Sequence, residues 1–323
     1  MARQRYVGVG AGLSLHVLTW PAVRSTPKPR AGADMQRADS VGSRADADES
    51  RADAVGSRVD AAPILLLHGL ASSARSWEPV AKRLSAAGHR VVAADFRGHG
   101  LSDKPDDGYD LATFASDLVS LMGALKLDRP VLVGHSLGAF VILEAFARNA
   151  DLGRLVRGVV LVEGGLVDAS AQFATLEDCL ARLTLPPVAG TLAPRLEGYF
   201  RHTYPDWSDE RIAGTMSGLE VKADGTVEWW LTPARLQALA CSMWEQDVEA
   251  LCSTLTAPAL WIVADTGDAA WTEEKTVAAA TVARTLPRSR VTWLVAEHDV
   301  HAHKPDEVAA LILGSAEDGY FPS

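Results

Sequence analysis

The chain has 323 residues and a formal net charge of −10, from 31 basic and 41 acidic residues. This length suits one α/β domain with an insertion better than two equal domains. An acidic chain is poorly suited to nucleic acid or an anionic membrane as its main partner, because both attract basic surfaces.

The three cysteines are widely spaced and form no Cys-x-x-Cys pair, which argues against a zinc site or a disulfide framework; they are Cys179, Cys241 and Cys252.

The beginning of the chain has no apolar stretch of the kind that a secretory signal requires. The most apolar segment, 131–147, contains His135, Ser136 and Glu144, so it is not suited to spanning a membrane. We therefore expect a cytoplasmic protein without a membrane partner.

Residues 5–20 predict two short strands joined at Gly10-Ala11-Gly12. The following segment, 22–62, has no aromatic residue and only five large apolar ones, and a polar unit at 37–44 recurs at 51–58. So little apolar surface cannot offset the entropy lost on ordering, which predicts a flexible polar insertion at the surface. Short alanine-rich helices are the alternative.

A regular alternation of strands and helices follows the insertion. Short apolar runs without polar alternation are typical of strands buried on both faces of a parallel sheet; they lie at 64–67, 91–94, 130–133, 159–162, 260–263 and 291–295. Apolar residues at helical spacing lie between them, at 76–87, 111–126, 137–149 and 272–286. This order predicts an α/β fold with a doubly wound sheet.

One long segment, 165–257, interrupts the alternation. It lacks a buried-strand run, is mostly helical in pattern and carries a predicted hairpin at Asp224-Gly225. We expect it to form a cap over the carboxyl edge of the sheet, where α/β folds bind ligands, with a core made of 1–164 and 258–323. Its aromatic residues are candidates for substrate contacts as well as for cap packing; they are Tyr199, Trp229, Trp230 and Trp244.

The motif Gly134-His135-Ser136-Leu137-Gly138 follows a predicted buried strand and precedes a predicted helix. In that context G-x-S-x-G forms a tight turn that presents the serine hydroxyl above the sheet, so Ser136 is the candidate nucleophile. The alternative is a glycine-rich turn in which Ser136 only caps the helix.

A serine nucleophile requires a base, and His298 follows the last predicted strand, from which it can reach the turn. His301 and His303 are its rivals, and we expect surface or packing roles for them. A metal site in this histidine cluster is disfavoured, because no matching carboxylate or cysteine cluster is visible.

The base requires an orienting carboxylate. Asp268, in the loop after the strand at 260–263, is the first candidate, and Glu163, at the end of an earlier strand, is the alternative; Asp265 suits a loop cap. Two backbone amides are needed for an oxyanion hole, and we expect them at Leu137 and Leu70.

These motifs together resemble the α/β-hydrolase superfamily. The matching residues are His68-Gly69, 95–102, 134–138, the Asp268 region, and His298 with Pro305, and the resemblance covers about 5–20 and 63–314. It implies a mostly parallel eight-stranded sheet with helices on both faces, a mainly helical cap after the sixth strand, a serine nucleophile and no cofactor.

The resemblance and the candidate triad predict a serine hydrolase that cleaves a carboxylic ester or related acyl bond through an acyl-enzyme. The partner is then a small, moderately apolar acyl compound. Lactone opening, carbon–carbon bond hydrolysis, amide hydrolysis and acyl transfer use the same residues and stay open. A non-catalytic ligand-binding protein is the alternative from another class, since a fold does not fix a function.

Overall fold

The computed structural model describes residues 2–23 and 61–322. The predicted polar insertion lies almost wholly outside the described residues, so its expected flexibility stays a prediction. Within the two described ranges, none of the helices has the length and hydropathy that a membrane crossing requires.

A single eight-stranded sheet forms the centre of the fold, with the spatial order β1-β2-β4-β3-β5-β6-β9-β10. The first two strands pair antiparallel, as do β2 and β4, and every other pairing is parallel. The α/β fold class is therefore confirmed. The strands of this sheet are β1 (Arg3–Gly10), β2 (Leu13–Trp20), β3 (Ile64–Leu67), β4 (Val91–Ala94), β5 (Val131–His135), β6 (Gly158–Val162), β9 (Ala259–Asp265) and β10 (Ser289–Val295).

The central strands are apolar throughout because both faces of the sheet are covered. In β3, Leu65 and Leu67 belong to the apolar cluster of one face, whereas Ile64 and Leu66 belong to the cluster of the other face. Side chains alternate between the two faces of a strand, so a strand buried on both faces needs apolar residues at every position.

Helices cover both faces of the sheet. A short 3₁₀ helix (Ala74–Trp77) leads directly into α1. The sequence predicted the longer helices to within a few residues. The helices of the core are α1 (Glu78–Ala86), α2 (Leu111–Ala124), α3 (Leu137–Arg148), α4 (Leu152–Leu155), α11 (Ala269–Thr285), α12 (Val300–His303) and α13 (Pro305–Glu317).

The segment 165–257, called the cap segment below, adds no strand to the main sheet. It contains an antiparallel hairpin of β7 (Leu219–Val221) and β8 (Val227–Trp229), with Gly225 at φ +81° in the turn, as Asp224-Gly225 predicts. Its helices are α5 (Ala169–Gln172), α6 (Leu176–Leu183), α7 (Ala193–Thr203), α8 (Asp209–Met216), α9 (Pro233–Trp244) and α10 (Val248–Ser253).

Four histidines, His68, His99, His135 and His301, are buried at the carboxyl edge of the sheet or beside it. Burial lowers the pKa of His99 to about 3, and burial together with the charge of His298 lowers the pKa of His135 to about 4. Burial also lowers the pKa of His68 and, strongly, that of His301. These four rings are therefore neutral at pH 7.

We expect the free energy of unfolding to decrease as the pH falls from about 6.5 to about 4. In this window the unfolded chain takes up protons on His99 and His135 while the folded chain does not, so each of these two histidines favours unfolding by about 1.4 kcal/mol per pH unit. Urea unfolding at several pH values measures the slope. His99→Gln should reduce the slope of the free energy of unfolding against pH by about 1.4 kcal/mol per pH unit, the contribution of one histidine. His202→Gln, at an exposed position of α7, should leave the slope unchanged. Equal slopes in wild type and His99→Gln would contradict the assignment.

Candidate active site

Ser136 lies in the sharp turn between β5 and α3, where the sequence motif predicts it. Its backbone has φ 50° and ψ −113°, a left-handed conformation that is strained for a residue other than glycine. Its amide donates to the Val162 carbonyl at 2.9 Å, and its own carbonyl accepts from the Ala139 amide at 2.9 Å. Hydrogen bonds on both sides of the residue therefore hold this strained backbone in place.

The glycines of the motif are required by close packing. A Cβ on Gly134 would lie 2.4 Å from the carbonyl carbon of Gly138, and a Cβ on Gly138 would lie 2.6 Å from the carbonyl oxygen of Leu67. The first turn of α3 thus packs directly against the ends of β5 and β3. Gly69, after β3, also approaches this turn, since its added Cβ would lie 3.3 Å from the Cβ of Ser136.

His298 lies in the loop between β10 and α12. The carbonyl oxygen of His298 accepts a hydrogen bond from Nε2–H of His135 at 3.0 Å, and the two rings are 4.9 Å apart. Because His135 directly precedes Ser136, this contact holds the His298 loop against the elbow. The His298 side chain is 58% exposed, so its ring is accessible to solvent.

The structure does not bring Asp268, the first candidate for the acid, to His298. Asp268 is exposed and caps α11, where its carboxylate accepts from the Trp271 amide at 3.1 Å. Glu163, the alternative, lies against the imidazole instead: Nδ1 of His298 is 3.4 Å from its Oε2. Asp265 bonds to the amide of Gly267 and so closes the loop after β9, as expected.

The Glu163 side chain is 3% exposed and has a full set of partners. Its Oε1 accepts from the Ala264 amide at 2.5 Å and from Nζ of Lys275 at 3.0 Å, and its Oε2 accepts from the same Nζ at 2.9 Å. Burial alone would raise the pKa of Glu163, but the hydrogen bond from His298, the charge of Lys275 and the Ala264 amide together lower it. Glu163 is therefore ionised and can orient and stabilise a protonated imidazole.

Two backbone amides flank the elbow at the predicted oxyanion positions. Leu137 follows Ser136 as the first residue of α3, and Leu70 lies in the loop after β3, next to Gly69. Within the described residues, neither amide has a side-chain or loop-carbonyl acceptor. Their role as an oxyanion hole stays a prediction.

The other two histidines near the end of the chain have packing roles. His301 is buried, with Nε2 at 3.2 Å from Oγ of Ser76 and its ring 4.3 Å from that of Trp77. Nδ1 of His303 accepts from the Glu297 amide at 3.1 Å. Packing and hydrogen bonds to other residues thus account for both rings.

Among the described residues, one group of side chains has metal-binding chemistry: His135, Asp299 and His301 each place a possible ligand atom within 4.8 Å of the others. However, Nε2 of His135, which is 3.7 Å from Asp299, donates its proton to the carbonyl of His298. A protonated nitrogen has no lone pair for a metal. Nδ1 of His135 and Nδ1 of His301 are buried without a hydrogen-bond partner among the described residues, and the packing of the two rings on each other, and of His301 on Trp77, accounts for their positions.

The aromatic residues of the cap segment have different surroundings. Trp229 lines a cavity of about 450 Å³ between α6, β8 and α9, and its Nε1–H donates to the Pro186 carbonyl at 2.9 Å. Trp230 instead lies under Nζ of Lys104, 4.2 Å from its ring centre. Tyr199, on α7, is largely exposed, and Trp244 ends α9. Ser136 and His298 do not line this cavity.

Two residues that support the candidate site, Arg211 and Lys275, are not indicated by any sequence motif. Arg211 of α8 is 6% exposed; it donates to Oε2 of Glu297 at 2.6 Å and stacks on Trp207 at 3.9 Å. Because Glu297 precedes His298, this ion pair ties the cap segment to the loop of the candidate base. Lys275, the partner of Glu163, lies in the middle of α11, where a lysine is an ordinary helical residue without a distinguishing pattern.

A family model described as the alpha/beta hydrolase family matches residues 64–311. Among curated relatives, the 2-(acetamidomethylene)succinate hydrolase of Mesorhizobium japonicum is 42% identical over 100 residues, which is 31% of this chain and 34% of that protein. The non-heme chloroperoxidase of Streptomyces lividans is 38% identical over 99 residues, 31% of this chain and 36% of that protein. The matches therefore span about a third of these relatives.

Solved structures match over nearly the whole chain. The crystal structure of E-2-(acetamidomethylene)succinate hydrolase has a TM-score of 0.70 at 24% identity, covering 98% of this chain and 100% of that one. An esterase from Exiguobacterium antarcticum has a TM-score of 0.61 at 15% identity, covering 98% and 100%. At these identities the likeness establishes the fold.

We expect Gly138→Ala to destabilise the protein by about 3 kcal/mol, because the new Cβ meets backbone atoms of β3 that have no room to move. Gly123→Ala is the matched control: its added Cβ has nothing within 4 Å on the exposed face of α2, so it should stabilise by about 0.5–1 kcal/mol. Urea unfolding of both variants measures the difference. Equal stabilities would show that the elbow is not tightly packed.

Proposed function

The chain belongs to the alpha/beta hydrolase family, and we propose that it is a serine hydrolase that cleaves a carboxylic ester or a related acyl bond through an acyl-enzyme. The observation that supports this proposal is the strained Ser136 at the elbow, next in sequence to His135, whose ring packs on His298, while His298 in turn lies against an ionised Glu163. A nucleophile, a base and an orienting acid are the parts that acyl transfer requires.

In the proposed first half-reaction, Nε2 of His298 accepts the proton of the Ser136 hydroxyl while Oγ attacks the carbonyl carbon of the substrate. The amides of Leu70 and Leu137 donate to the oxygen of the tetrahedral intermediate, which carries the negative charge. His298 then gives its proton to the leaving group, and the acyl group stays on Ser136.

In the second half-reaction, His298 removes a proton from a water molecule, and the resulting hydroxide attacks the acyl-enzyme carbonyl. Collapse of the second tetrahedral intermediate returns the proton to Ser136 and releases the acid. Throughout, Glu163 fixes the tautomer of His298 that carries its proton on Nδ1, and its charge stabilises the imidazolium that forms in each half-reaction.

The substrate is proposed to be a small, moderately apolar acyl compound, without a nucleic-acid or membrane partner and without a metal or other cofactor, in a cytoplasmic protein. Trp229 of the cap segment is a candidate for a substrate contact, and the cavity that it lines does not include Ser136 or His298. Trp230, Tyr199 and Trp244 are further candidates for substrate contacts.

A second candidate is hydrolysis of an acylated amine. It is favoured by the relative from Mesorhizobium japonicum, whose name specifies an acetamido compound as its substrate. The same residues serve both reactions, because only the leaving group differs. Turnover of a short-chain aryl ester, compared with the matching anilide and enamide, distinguishes the two candidates.

We expect Ser136→Ala to lower kcat by at least about 10³-fold with the thermal melt unchanged, because no other group forms the acyl-enzyme. Treatment with a fluorophosphonate should add one adduct to the wild-type protein, located on Ser136 by peptide mass mapping. Ser116→Ala, at an exposed position of α2, is the control and should be labelled like wild type. Labelling of Ser136→Ala at the wild-type rate would overturn the assignment of the nucleophile.

We expect Glu163→Gln to lower kcat by about 10³–10⁴-fold, because the amide cannot stabilise the protonated imidazole and disfavours its working tautomer. Asp268→Asn is the comparison and should leave kcat nearly unchanged, since asparagine caps a helix as well as aspartate does. Ester kinetics on variants with verified thermal melts make the test. If Asp268→Asn had the larger effect, the acid would come from the loop after β9 and not from β6.

A further inference from the structure

Lys275 is a buried cation directly behind the candidate triad. Its side chain is only 4% exposed, and its Nζ donates to both carboxylate oxygens of Glu163, at 2.9 and 3.0 Å, and to the carbonyl of Ala264 at 2.9 Å. The ring of Trp271 covers the same ammonium group at 4.9 Å. Its three protons therefore have three acceptors, and none is left for a substrate.

The carboxylate of Glu163 is shared between two basic groups. Oε2 lies 2.9 Å from Nζ of Lys275 and 3.4 Å from Nδ1 of His298. If His298 were the only partner of Glu163, the full negative charge of the carboxylate would stabilise the protonated form of the imidazole. When Lys275 already compensates that charge, the imidazole gives up its proton at lower pH.

Lys275 also fixes the direction of the carboxylate. Its bonds to both oxygens, with the Ala264 amide on Oε1, leave Oε2 turned toward His298. The ammonium group is itself held by the carbonyl of Ala264, at the end of β9. The end of β9 therefore fixes the position of Lys275, and Lys275 in turn fixes the orientation of the Glu163 carboxylate.

We propose that Lys275 is a positioning residue that orients Glu163 toward His298 and weakens the hold of Glu163 on the imidazole proton. This inference rests on the proposed triad. It does not make Lys275 a catalytic residue, because Lys275 touches neither the serine nor the space above it.

Other titratable or charged groups face the Glu163–His298 pair from β5, from α12 and its preceding loop, and from α8; they are His135, Glu297, Asp299, His301 and Arg211. Burial keeps the pKa values of His135 and His301 low, so neither ring gains charge near neutral pH. All five are unchanged in a variant of Lys275, so a difference between the variant and wild type reports the lysine.

The test is the NMR titration of the His298 ring in protein carrying ¹³C-labelled histidine, with the signal assigned by its loss in His298→Gln. In Lys275→Met, we expect the midpoint of this titration to rise by roughly one pH unit, the low end of the effect of a nearby charge because the ring is partly exposed. The acid limb of kcat/KM for an ester should move by the same amount. A lysine that only packs would shift neither.

Two further variants complete the experiment. Arg284→Met removes a cation from an exposed position of the same helix and should leave the midpoint unchanged. Lys275→Arg keeps the charge and should return the midpoint close to that of wild type. If Lys275→Met does not fold, Lys275→Gln takes its place, because glutamine can still donate to Glu163 while lacking the charge.

An unchanged midpoint in the folded neutral variant would overturn the proposal, as would an equal shift in Arg284→Met. The NMR readout does not depend on turnover. A raised midpoint without any labelling of Ser136 would therefore contradict the proposed function alone, whereas labelling of Ser136 with an unmoved midpoint would contradict the role of Lys275 alone.

Discussion

The arrangement of the site depends on one buried charge, the carboxylate of Glu163. Its backbone has φ 48°, which turns the chain sharply at the end of β6 and directs the side chain behind the His298 loop. There it contacts Ala264 at the end of β9, Lys275 on α11, and His298 after β10. A buried carboxylate without such partners would take up a proton. The three contacts therefore keep the acid ionised and, at the same time, hold three separate segments in one place.

The parallel sheet explains why these segments meet. Parallel strands all end at the same edge, so the loops after β3, β5, β6, β9 and β10 converge there and supply the proposed oxyanion amide, nucleophile, acid, supporting contacts and base. The cap segment enters between β6 and β9 and meets this edge through Arg211, whose ion pair with Glu297 is adjacent to His298. Arg211 therefore connects α8 to the loop that carries the candidate base.

The sequence predicts the sheet and the elbow well because both depend on local patterns. Unbroken apolar runs indicate strands buried on both faces, and the glycines around Ser136 indicate a turn too tight for side chains. The choice between two acids, in contrast, is a matter of three-dimensional distance. Asp268 stands in the loop where the family pattern predicts an acid, yet its carboxylate caps α11. Glu163 and Lys275 are 112 positions apart in sequence, and no local pattern indicates that they pair.

The Glu163–Lys275 pair is better explained by chemistry than by stability. Removing two charges from water is unfavourable, and apolar residues of similar volume often stabilise a core at least as well as a buried ion pair does. An acid exposed to water would avoid that cost, but solvent would screen its effect on the imidazole. Burial preserves the interaction with His298, and it requires a compensating cation. A lysine behind the acid provides that cation without competing for the ring nitrogen, so Glu163 can orient the proposed base while its own charge is compensated.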